Sequence, residues 1–338
     1  MSGALLVVGD VVTDVVARHR GPLAAGTDTA SAIRTLPGGA GANVACWAAH
    51  WGCADVRLLG RVGTDGAEWH ERELRASGVR PHLVVDPDAA TGTVICLVDT
   101  GDAAERTFLT DSGAALRFDL DDWSPSLLDG VARLHLSGYL FFSEPSRALV
   151  SVALRSARAR GVPVSVDPAS AGFLRRLGVA RFLSLVEGVD LLLPSRDEAS
   201  LLTGLPDPAD AAAKLSRLVP LVVVKQGAEG ALVARNGDGA VSRIAATPAM
   251  PLDTTGAGDA FTAGFLSATL RALPARARLR HGHLMAAAAL TAPGDLATPP
   301  SRDHADRLAA LDDATWGRLR LAPGWTQADQ GPEEVHTP

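Results

Sequence analysis

Asp253-Thr254-Thr255-Gly256-Ala257-Gly258-Asp259-Ala260-Phe261 is the run of residues around which the chain is organised. The glycines Gly256 and Gly258 precede a helix-forming stretch over 260–273, so the backbone can approach a ligand closely there. The first N–H groups of such a helix have no intrahelical partner, and together with the helix dipole they form a phosphate site. The run therefore predicts an anion-binding loop followed by a helix.

An acidic residue, Asp259, stands where this loop meets the helix. Because a carboxylate repels a phosphate, its position suits a base that takes a proton from a hydroxyl while the N–H groups hold the phosphoryl group. Alternatively, Asp259 is a first-turn acid that satisfies the helix dipole. This run alone leaves both interpretations open.

The composition excludes several classes of protein. The chain has 338 residues, of which 47% are hydrophobic, and its net charge of -6 gives no basic patch for a nucleic acid. Three cysteines without a C-x-x-C pair favour a reducing compartment over a disulfide framework. We find no signal-peptide pattern and no apolar run near the ~20 residues that span a bilayer. We therefore expect a cytoplasmic protein without a membrane or nucleic-acid partner.

Short apolar runs alternate with helical patterns along most of the chain, as in βαβ units. The continuous apolar run over 5–8 suits a strand that is buried on both faces. Further strands are predicted at 56–59, 134–136, 163–166, 191–193 and 221–224. Helices are predicted at 40–51, 66–77, 146–160, 172–187, 197–203, 260–273 and 281–290. The pattern predicts an α/β fold with a central, mostly parallel sheet and helices on both faces.

Other segments do not follow this alternation. The polar stretch over 11–34 and two strands at 93–98 and 106–109, which are joined through a turn cluster, predict a small separate sheet. The segments 230–235 and 240–246 read as an antiparallel hairpin at one edge of the large sheet. The polar residues 322–338 predict a flexible C-terminal tail after a single domain over 1–321.

A second glycine run, Pro37-Gly38-Gly39-Ala40-Gly41-Ala42-Asn43-Val44-Ala45, also leads into a helix. The two runs in this order resemble the PfkB (ribokinase-like) carbohydrate kinase family, and the resemblance extends from the first strand to about Gly294. It implies a ribokinase-like fold in which segments near 11–36 and 80–112 form a β-sheet lid over the sugar. It also implies ATP and Mg²⁺, with K⁺ as an optional cofactor.

The resemblance also implies roles for individual residues. The catalytic base would be Asp259, with the backbone of Gly256, Ala257 and Gly258 holding the transferring phosphoryl group. The substrate would contact Asp14, Gly38, Gly39 and Asn43, and the ATP-binding residues would be Lys225, Gly227, Gly230 and His283. Glu198 would hold Mg²⁺ through water, and Asp253 and Thr255 would form the K⁺ site. These expectations concern matched motif positions, and no P-loop motif G-x-x-x-x-G-K-[ST] is present.

Several positions depart from the family pattern or have an ordinary structural explanation. Ser112 and Ala115 stand where the family often carries Arg and Asn, and Ser195 replaces the usual Asn of the N-x-x-E motif. We expect Asp10 to be a turn residue at a strand end. Asp167 is either a turn residue or a ligand of a metal-bound water, and His135 is expected to be packed in the core.

We therefore expect an ATP-dependent kinase that phosphorylates a hydroxymethyl oxygen of a sugar of the ribose, fructose or keto-sugar-acid class. The alternatives are a nucleoside kinase of the adenosine or pseudouridine type and a nucleotide-binding regulator without activity. A dinucleotide oxidoreductase is disfavoured, because its glycines should follow the first strand directly, where Gly9-Asp10-Val11 stands instead. An exposed lid sheet can pair with a second copy, so a homodimer is also expected.

Overall fold

The computed structural model describes residues 3–100, 106–236, 241–245, 256–291 and 298–327. The strands are β1 (Ala4–Val8), β2 (Val12–His19), β3 (Ser31–Gly38), β4 (Val56–Gly63), β5 (Arg80–Asp86), β6 (Gly92–Asp99), β7 (Arg106–Asp111), β8 (Val131–Ser137), β9 (Val164–Asp167), β10 (Leu191–Leu192), β11 (Leu221–Lys225), β12 (Ala231–Arg235) and β13 (Val241–Ile244). The helices are α1 (Ala40–His50), α2 (Ala67–Ala76), α3 (Glu144–Ala159), α4 (Ala171–Leu177), α5 (Val179–Leu185), α6 (Arg196–Thr203), α7 (Pro208–Leu215), α8 (Ala257–Leu270), α9 (Ala275–Leu290), α10 (Arg302–Ala309) and α11 (Asp313–Arg318). Short 3₁₀ turns connect several of them.

Within the described ranges, nine strands form one large sheet in the order β13-β12-β11-β10-β9-β8-β1-β4-β5. The pairs from β11 to β5 are parallel, and β12 and β13 form an antiparallel hairpin at one edge. This arrangement confirms the predicted α/β class and the edge hairpin. The carboxyl ends of the parallel strands meet along one edge, where ligands bind in open α/β sheets.

The first strand is buried on both faces, as its continuous apolar sequence predicts. Leu5 and Val7 belong to one hydrophobic core, whereas Leu6 and Val8 belong to the other. Helices α1, α8 and α9 cover the first face, and α3, α6 and α7 cover the second. The sheet is therefore packed between two helical layers.

The small sheet has the order β3-β2-β6-β7 in the described part of the chain, and it confirms the predicted separate sheet. The expected lid boundary at residue 80 is wrong, because β5 pairs in parallel with β4 at the edge of the large sheet. The physical reason is the helix α2 between β4 and β5, which makes this segment another βαβ unit. The small sheet thus takes its second pair of strands from 92–111 alone.

Two further expectations are wrong in detail. The single helix predicted over 172–187 is divided into α4 and α5 at Gly178, whose φ of 92° ends the first helix. The tail predicted from residue 322 packs on the domain as far as residue 327. Trp325 is buried, and its indole N–H donates a hydrogen bond of 3.1 Å to Thr291 Oγ1. Burial of this one large apolar side chain favours the packed conformation, although the residues around it are mostly polar.

Candidate active site

A cavity of about 1160 Å³ lies at the carboxyl edge of the large sheet, next to the small sheet. It brings together residues that are far apart in sequence and that the motifs single out. Its lining includes Asp14, Gly39, Asn43, Glu198, Lys225, Gly227, Gly230, Gly256, Ala257, Gly258, Asp259 and His283. Gly38 lies directly beside Asp14. Asp253 and Thr255, the expected K⁺ site, lie outside the described residues.

Helix α8 begins at this cavity without a side-chain cap. Its N-cap residue Gly256 has a φ of 70°, a left-handed conformation that glycine adopts without strain. Within the described chain, no side chain accepts a hydrogen bond from the first turn of α8. A β-carbon added to Gly258 would meet only Lys225 Nζ, at 3.8 Å. The first N–H groups of α8 therefore face open space beside a cation, which is the geometry of an anion site.

Asp259 lies in the first turn of α8, and Asn43 of α1 contacts it. The Asn43 amide Nδ2 donates a hydrogen bond of 3.1 Å to Asp259 Oδ2. Burial and repulsion from Asp167 raise the pKa of Asp259 to about 8, although the hydrogen bond from Asn43 lowers it. A carboxylate with a pKa near neutrality is suited to accept a proton from a hydroxyl. Sequence reasoning assigned Asn43 to the substrate and missed this contact with the base.

Asp10 anchors the start of α1. Its carboxylate accepts hydrogen bonds from Ala40 N at 2.7 Å, from Gly41 N at 3.2 Å and from the Ser137 hydroxyl at 2.6 Å. Asp10 follows β1, and Ser137 ends the neighbouring strand β8. The expected turn residue therefore joins the central strands to the first glycine run.

The two glycines of that run are required by close contacts. A β-carbon on Gly38 would lie 2.2 Å from Asp14 Oδ2, so any larger residue would displace this carboxylate from the cavity. Gly39 has a φ of 104°, and a β-carbon there would lie 2.5 Å from the carbonyl oxygen of Asp10. The carboxylate of Asp14 can therefore lie at the cavity because the neighbouring Gly38 has no side chain.

Glu198 and Ser195 form a capping box at the start of α6. The Ser195 N–H donates to Glu198 Oε2 at 2.7 Å, and the Glu198 N–H donates to Ser195 Oγ at 3.3 Å. The serine that replaces the usual asparagine thus caps a helix. Burial and repulsion from Asp167 raise the pKa of Glu198. A divalent cation would relieve this repulsion between two carboxylates, so the pair fits a hydrated Mg²⁺ ion.

Lys225, expected at the nucleotide, forms an ion pair with Asp167 in this structure. The same carboxylate oxygen, Oδ2, also accepts a hydrogen bond of 2.8 Å from the hydroxyl of Thr262 on α8. Asp167 was expected as a turn residue or a metal-water ligand, and its link to α8 was missed. Its position at the end of β9 was the signal, since parallel strands end at the same edge.

Two histidines also line the cavity. His283 packs edge-on against Phe261 at 5.2 Å between ring centroids, and burial lowers its pKa to about 4, so it is neutral. His135 Nδ1 lies 3.1 Å from Ser165 Oγ, and burial lowers its pKa to about 4 as well. The expectation of a packed histidine at 135 agrees with this burial. The expectation that His283 lies beside adenine stays a prediction.

The remaining expected nucleotide residues stand in tight turns. Gly227 has a φ of 57° and Gly230 a φ of 102°, and a short 3₁₀ turn joins them after β11. Both conformations favour glycine, and both residues line the cavity. Ser112 and Ala115 line it as well, although they lack the side chains that the family often carries there. Tyr139, Phe173 and Arg176 were not singled out from the sequence, and they form another part of the wall.

The chemistry that this arrangement permits follows from its charges. One side presents a carboxylate with a raised pKa at an open helix N-terminus, which suits proton removal next to a bound anion. The other side presents the carboxylates of Glu198 and Asp167 and the ammonium of Lys225. The cavity can therefore hold a polyanion, a divalent cation and a hydroxyl-bearing acceptor together.

Comparison with known proteins gives consistent matches. The sequence model described as pfkB family carbohydrate kinase matches residues 3–302. A fructokinase from Klebsiella pneumoniae is 33% identical over 277 residues, which cover 79% of this chain and 84% of that protein. In the described part of this chain, no helix is both long and apolar enough to cross a bilayer.

Solved structures share the fold. The adenosine kinase from Sinorhizobium meliloti superposes with a TM-score of 0.80 at 23% identity, covering 92% of this chain and 100% of that one. A putative ribokinase II from Escherichia coli, solved with ATP and Mg²⁺, gives a TM-score of 0.79 at 22% identity, covering 91% and 98%. The chain therefore has the ribokinase-like fold that the two glycine runs predict.

Proposed function

The chain belongs to the pfkB family of carbohydrate kinases, which are phosphotransferases with an alcohol acceptor, and we propose that it transfers the γ-phosphoryl group of ATP to a hydroxymethyl oxygen of a sugar. The sugar is of the ribose, fructose or keto-sugar-acid class. The observation that carries the proposal is Asp259, whose carboxylate has a raised pKa, accepts a hydrogen bond from Asn43 and lies in the open first turn of α8.

In this proposal Asp259 removes the proton of the acceptor hydroxyl as that oxygen attacks the γ-phosphorus, and the bond from this phosphorus to the β,γ-bridging oxygen breaks to release ADP. Asn43 holds the carboxylate oxygen in place and, by donating to it, favours the ionised form. The N–H groups of Gly256, Ala257 and Gly258 stabilise the negative charge that develops on the transferring group. Transfer thus needs no covalent enzyme intermediate.

The substrates take opposite parts of the cavity. We assign the sugar to Asp14, Gly38, Gly39 and Asn43, beside the small sheet, which acts as a lid. We assign the nucleotide to Lys225, Gly227, Gly230 and His283. One carboxylate can accept from two neighbouring hydroxyls, which suits Asp14 to a polyol.

Glu198 and Asp167 would hold Mg²⁺, largely through its water ligands. The ion supplies neutralisation of the charge on the phosphate oxygens. Lys225 stands next to both carboxylates and next to Gly258, so it can exchange part of its pairing with Asp167 for a phosphate oxygen. We propose in addition that K⁺ binds at Asp253 and Thr255, and that the protein forms a homodimer.

A nucleoside acceptor is the second candidate. It is favoured by the rings of Phe108, Tyr139 and Phe173 in the cavity wall, against which a base could stack. The ribose of a nucleoside presents the same hydroxymethyl group, so the chemistry at Asp259 would be unchanged.

The test is steady-state turnover of the wild-type protein with ATP and Mg²⁺ and a panel of D-fructose, D-ribose, 2-dehydro-3-deoxygluconate, adenosine and pseudouridine. We expect one member to raise ADP formation well above ATP hydrolysis without acceptor, with a phosphorylated hydroxymethyl group in the product. Absence of transfer to every member, with a folded protein that binds ATP, would contradict the proposal and support a regulator.

A further inference from the structure

The wall of the cavity contains the only tyrosine of the chain, Tyr139. It lies in the 3₁₀ turn Gly138–Phe142, directly after β8. Its ring meets Phe173 at 5.5 Å and 79°, and Phe142 at 6.0 Å and 82°. These two phenylalanine rings stack on each other at 5.1 Å. Edge-on contacts with two rings fix the direction of the phenol.

The hydroxyl of Tyr139 has no hydrogen-bond partner among the described residues. It is also not sealed in the core, since it is absent from the buried polar atoms without a partner. Tyr139 is half-buried, and it lines the cavity. A fixed hydroxyl that faces a cavity without a protein partner is therefore available to a ligand.

Tyr139 lies two residues after Ser137, the last residue of β8, whose hydroxyl donates to Asp10. Burial raises the pKa of the Tyr139 phenol, and the carboxylates of Asp10 and Asp259 raise it further, ahead of those of Glu198 and Asp167. The phenol therefore stays neutral and keeps its proton throughout the physiological pH range. Because Asp10 also holds the start of α1, which carries Asn43, Tyr139 lies in the acceptor half of the cavity, the part lined by Asp14, Asn43 and Asp259.

The other polar groups of the acceptor half differ from it in chemistry. The carboxylates of Asp14 and Asp259 can only accept from sugar hydroxyls when they are ionised. One N–H of the Asn43 amide donates to Asp259, and the Ser137 hydroxyl donates its only proton to Asp10. A ring oxygen of a sugar can only accept, so a carboxylate cannot serve it. It needs a donor, and in ribofuranose and in both ring forms of fructose it is bonded to a carbon that carries a hydroxymethyl group.

We propose that the Tyr139 hydroxyl donates a hydrogen bond to the ring oxygen of the acceptor, and that it thereby selects cyclic sugars over open-chain polyols. This inference rests on the proposed function and deepens it. It adds a specificity-determining residue that the motifs do not contain. A hydrogen bond next to the reacting hydroxymethyl group would also orient that group towards Asp259.

Because Tyr139 is the only tyrosine, its phenol can be observed directly. The protein is labelled with tyrosine carrying ¹³C at the ζ carbon, which gives one tyrosine resonance, and it is titrated with D-fructose, D-ribose and adenosine. We expect saturating acceptor to shift this resonance, and Mg²⁺ with a non-hydrolysable ATP analogue alone to shift it less. An unchanged resonance with every acceptor would overturn the inference, whether or not the protein turns over.

Steady-state kinetics provide a second test of the inference. In Tyr139→Phe the ring contacts remain and only the hydroxyl is lost. We expect kcat/KM for the best cyclic acceptor to fall roughly 5- to 100-fold, with the KM for ATP unchanged. The carbocyclic analogue of that acceptor, with a methylene in place of the ring oxygen, should react equally with both proteins. The packing control Phe142→Leu keeps the hydroxyl and should keep the preference for the cyclic acceptor.

The outcomes separate the two proposals. If the wild-type protein phosphorylates no acceptor, the proposed function fails, and the resonance still decides whether Tyr139 meets the sugar. If the wild-type protein is active but Tyr139→Phe lowers turnover of the cyclic and carbocyclic acceptors equally, the ring-oxygen contact is wrong. Equal turnover of the cyclic acceptor by both proteins would also overturn it.

Discussion

Helices α1 and α8 both begin at the cavity with a glycine of positive φ, Gly39 and Gly256, but the N–H groups at the two ends have different partners. At α1 the carboxylate of Asp10 accepts from the N–H groups of Ala40 and Gly41. At α8 no side chain within the described residues fills that place. The positive end of α1 is therefore satisfied by the protein itself, whereas we propose that the end of α8 holds the transferring phosphoryl group.

This difference shows that two similar glycine runs have different roles in one site. A carboxylate held by backbone N–H groups fixes α1 to the central strands, and this places Asn43 where it can contact Asp259. At α8 the carboxylate belongs to the helix and faces the cavity. The first run thus has a structural role, and we propose that the second run carries the catalytic base.

The largest expected effect is the loss of the base at the open helix end. We expect Asp259→Asn to lower kcat by about 10²- to 10⁴-fold, because general base catalysis contributes that much. Affinity for ATP and sugar should change little, since backbone N–H groups form the anion site. Single-turnover kinetics and calorimetry on the folded variant check both parts.

The control is Asp197→Asn, an exposed first-turn acid of α6, which should retain wild-type turnover. If Asp259 served only the helix dipole, Asn would replace it at a cost of a few tenths of a kcal/mol. Near-wild-type phosphoryl transfer by Asp259→Asn would therefore contradict the catalytic assignment.

Replacing one glycine by alanine at each helix end should distinguish a role in stability from a role in ATP binding. Gly39→Ala combines a φ of 104° with a contact of 2.5 Å to the Asp10 carbonyl, so we expect a loss of about 2–4 kcal/mol in the free energy of unfolding. Gly258→Ala has space, its nearest contact being Lys225 Nζ at 3.8 Å. It should fold normally and raise the KM for ATP roughly 10-fold, because the methyl group intrudes on the anion site.

Denaturant unfolding and the KM for ATP are measured on both alanine variants. Equal destabilisation of the two would mean that the two helix ends have the same structural role. A Gly258→Ala protein with unchanged ATP kinetics would place the phosphates elsewhere.

The raised pKa of Asp259 predicts the pH dependence. With a pKa of about 8, the base is largely protonated at pH 7, so kcat/KM should rise about tenfold per pH unit below pH 8 and level off above it. Asn43→Ala removes a hydrogen bond that lowers this pKa, so its profile should move to higher pH. A wild-type profile that is flat between about pH 6 and 9 would contradict this prediction.

The same group affects stability with a defined sign. The folded protein holds the Asp259 proton up to about pH 8, whereas the unfolded chain releases it near the ordinary value of 3.8. Between these values the folded state binds more protons, so this group lowers stability as the pH rises. The melting temperature of Asp259→Asn minus that of the wild type should therefore be larger at pH 8 than at pH 5. The same difference at both pH values would contradict this prediction.

The smallest effect is expected from the cation near the open helix end. K⁺ at Asp253 and Thr255 would strengthen the anion site of α8, and we expect turnover to rise about two- to fivefold, as charges at helix ends typically allow. The measurement compares K⁺ with tetramethylammonium at equal ionic strength. Equal rates would mean that no K⁺ site assists α8.

The sequence predicted the elements whose pattern is local. The buried run of β1 and the helices after both glycine runs needed only periodicity and glycine chemistry. The position of β5 and the packing of Trp325 depend on contacts with distant partners, such as Thr291 for Trp325, and no local pattern encodes them. The division of α4 from α5 was readable, since Gly178 lies inside the predicted helix.

The site residues could likewise be predicted where the signal is local in sequence. Asp259, Gly256 and Gly258 were found because the motif is contiguous, and Asp14 and Glu198 because the family resemblance supplied them. The partners of these residues were not found, because hydrogen bonds such as Asn43 to Asp259 join segments that only the fold brings together. Tyr139 was not predicted as a site residue although it follows a strand end, since the same sequence pattern is equally typical of a tyrosine in the hydrophobic core.

The hydrogen bond between Asn43 and Asp259 joins residues 216 positions apart. Contacts of such long sequence separation form late, because the entropy of closing a long loop must be overcome before they stabilise anything. During synthesis, strands β1 to β9 can pair before α8 has left the ribosome. We therefore expect the proposed catalytic centre to assemble last, and a nascent chain without α8 and α9 to be partly folded and inactive.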